Sequence, residues 1–151
     1  MMKYLFFLQQ VYRVPLNYDF KIYTYGPYSS EVMEDLDFAK CQNIISMEAV
    51  PFSGHIGYEI CAADYAPGDF TEAYQNEIGE MLSLFGKKTA KELELLATIV
   101  YLYHNYKMNH WDCDRETIAK VVHEIKPHFN LETVQAEYDN LQQNDVLKKV
   151  G

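Results

Sequence analysis

Two groups of residues in this chain have the types from which chemistry is usually built. His104, His110 and Cys113 lie close together, and His110-x-x-Cys113 is half of a zinc spacing. Glu31, Glu34, Asp35 and Asp37 crowd four carboxylates into one short run. A structural zinc needs four ligands, usually supplied as two paired motifs, and no second pair follows. Cys113, beside Trp111, therefore reads as the edge of a core. Acids in a first helical turn offset the positive end of the helix dipole and face water, so the carboxylate run reads as dipole compensation. His123 and His128 have no carboxylate, serine or cysteine at a recognisable spacing and read as solvated helix positions. Gly54-His55-Ile56-Gly57 lacks the Lys-Ser/Thr and the following helix of a phosphate loop. With no nucleophile elbow and no HExxH pattern, the expectation is a non-enzyme with no catalytic residues, no metal and no cofactor.

A third group suggests recognition. Residues 20–36, FKIYTYGPYSSEVMEDL, place Tyr23, Tyr25 and Tyr28 around one Gly-Pro step. Aromatics make up 15% of the chain, and nine of them, from Tyr4 to Tyr28, fall in the first 28 residues. Rings this large bury much apolar area, and each buried Tyr hydroxyl needs a partner, so part of the set is expected at an exposed edge. Rigid rings with a polar tip lose little entropy on binding and recur at binding hot spots. The candidate partner-binding residues are Tyr23, Tyr25, Gly26, Pro27, Tyr28, Ser29, Glu31 and Asp35.

The elements that must hold these residues follow from periodicity and punctuation. Residues 2–13 have apolar groups at 4, 7, 8 and 11, a short amphipathic helix that stops before Pro15. Residues 18–24 alternate as a short strand; in it 20, 22 and 24 would point inward and Tyr23 and Tyr25 outward. Pro27 biases Gly26 towards extended backbone, so the chain is expected to turn there. Ser29 or Ser30 caps the next helix, whose buried face is Val32, Leu36 and Ala39. Residues 44–61 read as a hairpin turning at Pro51-Phe52-Ser53-Gly54, and residues 64–68 as a loop. Thr71 to Phe85 reads as one helix ended by Gly86. Thr89-Ala-Lys-Glu92 is a capping box opening a helix to about Tyr106; apolar on two sides, it is the predicted spine. Asp114 and Asn130 start two more helices, the first carrying Ile118, Val121, Val122 and Ile125 and ended by Pro127. The second carries Val134, Tyr138 and Leu141. The predicted fold is a single domain over residues 1–151, mainly α with a small β element (α+β): a helical domain with a β-hairpin and a C-terminal helix-turn-helix or winged-helix-like pair.

Charge narrows the partners. Thirteen Lys and Arg against 22 Asp and Glu leave −9, which repels phosphate backbones and anionic membranes and attracts basic partners. The candidate recognition helix carries Glu132, Glu137 and Asp139, the wrong sign for a duplex; nucleic acid is an unlikely partner. The apolar run from Tyr4 to Leu8 is too short for a signal peptide, and no segment approaches a membrane span. Cys41, Cys61 and Cys113 are odd in number and unpaired in pattern, which fits free thiols in a cytoplasmic setting.

Tyr4-Leu-Phe-Phe-Leu-Gln-Gln, then Tyr18 to Val32 through Tyr-Gly-Pro-Tyr-Ser-Ser-Glu-Val, then Asp35-Leu together resemble the YwgA-like uncharacterised protein family. More remotely they are similar to the Panacea (SocA-like) domain of antitoxins and phage-associated proteins. The likeness covers residues 3–60; the C-terminal half is alike only in being helical. Those proteins have a longer lead-in before the first helix. The resemblance implies a mostly helical domain with a small β element and no enzymatic activity. From the Panacea side it implies an antitoxin or adaptor that holds a toxin, in one case for delivery to a protease. The expected function is thus a non-enzymatic protein-interaction domain that engages a protein partner. A winged-helix-like DNA-binding regulator is the alternative, and a structural subunit of a homo-oligomer stands third.

Overall fold

The computed structural model describes residues 1–52, 55–64 and 68–150, without the side chains of Phe52 and His55. In chain order the elements begin with α1 (Met2–Gln10), β1 (Lys21–Tyr23), β2 (Gly26–Tyr28), α2 (Ser30–Cys41), β3 (Ile45–Phe52) and β4 (His55–Ala62). They continue with α3 (Asp69–Ala73), α4 (Gln75–Phe85), α5 (Ala90–Met108), α6 (Arg115–Ile125), α7 (Leu131–Gln143) and α8 (Val146–Lys149). The protein is mainly α with a small β element made of two antiparallel hairpins. The chain divides into two compact units, residues 1–28 with 74–151, and residues 29–73.

In the first unit α5 is the spine. Thr89 and Glu92 close the capping box in both directions, satisfying two of the amides that a helix start leaves open. Seven consecutive residues, Glu94 to Val100, are buried, and Leu102 follows; α1, α6 and α7 pack around them. Phe7 of α1 stacks on Phe85 of α4 at 4.0 Å, and Phe6 meets Phe20 edge-on at 5.3 Å, so part of the N-terminal aromatic set is core. Asp114 and Asn130 each accept the backbone N–H of the residue three further on, capping α6 and α7. Ile118, Ala119 and Val122 bury the inner stripe of α6, while Val121 is half-buried and Ile125 exposed. Val134, Tyr138 and Leu141 bury the stripe of α7. Arg115 clamps the pair, its Nε donating to both oxygens of Asp139 at 2.9 and 3.0 Å.

Helical boundaries differ from expectation in places: α1 ends at Gln10, not at residue 13. The expected helix from Thr71 to Phe85 is broken at Tyr74, whose φ of −114° and ψ of 22° depart from helical values. No Gly or Pro marks that break; it falls where one unit ends and the other resumes. Gly86 does close α4, with its N–H on Leu82 O, but in right-handed backbone at φ −64°.

In the second unit α2 packs against β3, which pairs with β4 in the register Ile45↔Ala62 through Phe52↔His55. Val32 and Met47 are buried, and Leu36 and Ala39 are half-buried. Ser29 sits at the N-cap of α2, yet its hydroxyl makes no capping bond and lies 3.4 Å from Glu31. The expected turn at Ser53-Gly54 and the loop through Pro67 lie outside the described residues.

Candidate functional site

The aromatic turn is a hairpin built one step earlier than its sequence suggests. Tyr23 pairs with Gly26, and Ile22 with Pro27, so Thr24 and Tyr25 form the turn and Gly26-Pro27 begins the returning strand. Gly26 is not extended: its φ is +88°. The clash that confines a residue before proline involves its Cβ, which glycine lacks, and a left-handed glycine after a two-residue turn is a common way to close a tight hairpin. Pro27 costs this strand little because the sheet has only two strands.

Alternation then sorts the side chains. Ile22 and Pro27 face inward, with β2 packed on α1 and α5. Tyr23 and Tyr28 share the outer face with ring centroids 5.8 Å apart. Tyr23, Tyr25 and Tyr28 are 68%, 55% and 39% exposed. The rings are surface. Gly26, Pro27 and Ser29 are buried and present no contact face themselves; Gly26 and Pro27 lead the strand that carries Tyr28. Thr24, expected to point inward, is exposed in the turn. Glu31 and Asp35 are exposed on α2, in the second unit.

What fixes the hairpin is a buried group of charges that the sequence reading did not single out. Lys126, only 5% exposed at the end of α6, donates to the carbonyls of Tyr23, at 3.0 Å, and of Thr24. Its ammonium also lies 3.1 Å from Glu94 Oε1, on the buried stripe of α5. His128 Nε2 approaches the same oxygen at 3.3 Å. Neither nitrogen donates an aligned hydrogen bond to Oε1, so that oxygen is compensated by the nearby Lys126 charge and has no hydrogen-bond donor. Lys3 of α1 donates to Pro27 O at 2.9 Å, so two lysines grip the hairpin backbone from opposite ends of the sequence.

His123 departs from a solvated helix position, its Nδ1 2.7 Å from Phe129 O; His128 is exposed as expected but lies between α6 and α7, with Nε2 near Glu94. A cleft of about 460 Å³ opens beside the hairpin, lined by Ile22, Tyr23, Thr24, Ile125, Lys126 and His128. Exposed Ile125 adds an apolar wall to the tyrosines. The sequence held a faint signal for this group: Glu94 interrupts the apolar stripe Leu93-Glu-Leu-Leu-Ala, and Lys126 precedes a helix-ending proline.

Burial pushes the Lys3 ammonium down to about 8; the Glu94 carboxylate opposes the shift and Lys126 adds to it. Between about 8 and 10.5 the unfolded chain keeps this proton and the folded chain gives it up. Stability therefore rises with pH across that window, because the unfolded state binds more protons there. Wild-type protein is expected to gain on Lys3→Met from pH 8 to 10.5, by at most about 3 kcal/mol. Paired urea titrations at each pH check this, and parallel profiles for the two proteins would refute it.

Among the described residues no three His, Cys, Asp or Glu side chains gather as a metal site, and no helix is long and apolar enough to cross a membrane. The three cysteines are free, two of them exposed. The charges at Glu94 and Lys126 are engaged with each other and with backbone carbonyls, an arrangement suited to holding a surface in place. No family model, curated protein or solved structure matches this chain.

Proposed function

We infer that this chain is a non-enzymatic protein-interaction domain of the cytoplasm, antitoxin- or adaptor-like, that engages a protein partner through the hairpin of residues 21–28. The observation that carries this reading is the pairing of exposed rings with a buried anchor. Three tyrosines that could have been core stand in solvent, on a turn whose backbone is tied down by Lys3 and Lys126. A surface held rigid before binding loses less entropy when it binds. Free thiols fit a reducing compartment. The resemblance to the Panacea domain, more remote than that to the YwgA-like family, agrees with an antitoxin or adaptor role.

Charge supports protein over nucleic acid. The helix that would enter a groove, α7, has Glu132, Glu137 and Asp139 and no Lys or Arg. Arg115 of the helix before it is committed to Asp139 and Glu116.

The test is capture from native lysate with mass spectrometry of what is retained. Tyr23→Ala with Tyr25→Ala is expected to lose the partner while costing less than about 1 kcal/mol of unfolding free energy, as exposed side chains do. A stable double variant that retains the same protein would refute the site. Sub-micromolar binding of a specific DNA duplex at physiological salt would replace the reading by a DNA-binding regulator.

A further inference from the structure

The negative charge of this protein is concentrated in one unit. Residues 29–73 contain nine carboxylates against Lys40 as the only Lys or Arg, so they hold eight of the nine net negative charges. The same unit carries a long hairpin whose two faces differ. Side chains alternate along a strand, and directly paired residues share a face. The register therefore puts Ile45, Met47, Ala49 and Pro51 of β3 on one face with Ala62, Ile60, Tyr58 and Ile56 of β4. Every one of these is apolar or aromatic. Glu48 and Glu59 pair on the opposite face.

Cover on the apolar face ends halfway along. Near the root Met47 is buried, Ile45 and Ile60 are half-buried, and only the small Ala62 is exposed. Towards the tip Ala49 and Pro51 are exposed, Ile56 is 76% exposed and Tyr58 55%. A contiguous apolar face left in water on a two-stranded hairpin is where a partner can be docked.

We propose that the distal apolar face of the β3–β4 hairpin docks a basic segment of a protein partner, one that is apolar on the side it presents to Ala49, Pro51, Ile56 and Tyr58. Charge selects this occupant. The eight net negative charges of the unit around this face attract Lys and Arg and speed their approach, and they repel phosphate. A second copy would bring the same eight charges to the same place. Four side chains also fall short of the roughly 20 residues a side of a standard interface. This surface belongs to the second unit and stands independently of the tyrosine hairpin.

The full chain is titrated at low salt with a fluorescent lysine–leucine peptide of helical period, and with a lysine-only peptide of equal charge. The amphipathic peptide is expected to bind about ten-fold more tightly or better, since burial of a few apolar side chains is worth that margin. Ile56→Ser with Tyr58→Ser should remove the margin and leave the melting temperature unchanged, and Tyr23→Ala should leave binding untouched. Glu48→Lys with Glu59→Lys should weaken both peptides. Equal binding of the two peptides, or a margin that survives Ile56→Ser with Tyr58→Ser, overturns the proposal. So does sedimentation showing a dimer that this variant dissolves, which would make a second copy the occupant.

Discussion

Glu94→Ala is expected to lower the unfolding free energy by about 3–5 kcal/mol, the usual cost of breaking one side of a buried ion pair. Glu94 is 7% exposed and Lys126 is 5% exposed, so water cannot replace the missing partner. The loss would leave the Lys126 ammonium, with Lys3 close enough to feel it, uncompensated in the interior. Replacing both partners distinguishes this cost from ordinary loss of packing. Glu94→Leu with Lys126→Met removes the buried charges together and should recover most of the loss. Recovery will be incomplete, because the carbonyls of Tyr23 and Thr24 lose their donor at about 1 kcal/mol each. The residual defect should be local. Hydrogen exchange in residues 21–28 should quicken in the double variant while the amides of α5 keep their protection. Urea unfolding gives the free energies, and a Glu94→Ala cost below about 1 kcal/mol would show that the pair does not hold the hairpin.

The physics that makes the helices legible is local, and the physics of the anchor is not. The capping box at Thr89 and the caps at Asp114 and Asn130 each need a side chain only three residues from the amide it serves. The two-sided apolar pattern of α5 likewise reports its own burial. Lys126, by contrast, is 103 residues from the Tyr23 carbonyl it holds, and no periodicity links them. Glu94 looked like one polar residue in a stripe, and its meaning depends on where α6 ends. The break at Tyr74 has no punctuating residue, and the four-residue α8 is too short to show a period. Within the hairpin the rings were legible as candidates from composition. Their exposure was not, because a tyrosine on a strand suits either face. The turn was displaced in the sequence reading because proline restricts its predecessor through a Cβ that Gly26 does not have.

Gly26→Ala should show that same missing Cβ as a loss of stability. At φ +88° an L side chain is strained, and the added carbon would sit 3.3 Å from Glu94 O, 3.3 Å from Thr98 Oγ1 and 3.4 Å from Lys3 Cε. The first contact is helix backbone. The second belongs to a buried hydroxyl already donating to that same carbonyl at 2.7 Å. Neither can move without disturbing α5, and only the lysine stem gives easily. Left-handed strain contributes about 1–2 kcal/mol, and the crowding adds to it, so the expected cost is about 2–3 kcal/mol. Tyr23→Ala and Tyr25→Ala, three residues and one residue from Gly26, should each cost less than about 1 kcal/mol. Their rings are exposed and leave no cavity. The contrast separates shape from contact: the alanine at 26 should melt early and lose its partner because the hairpin shifts, whereas the tyrosine variants should lose the partner at nearly full stability. Thermal and urea unfolding of the three variants side by side would decide it. A Gly26→Ala protein as stable as wild type would mean that the hairpin can leave α5 at little cost, and that the tyrosine surface is not held rigid before binding.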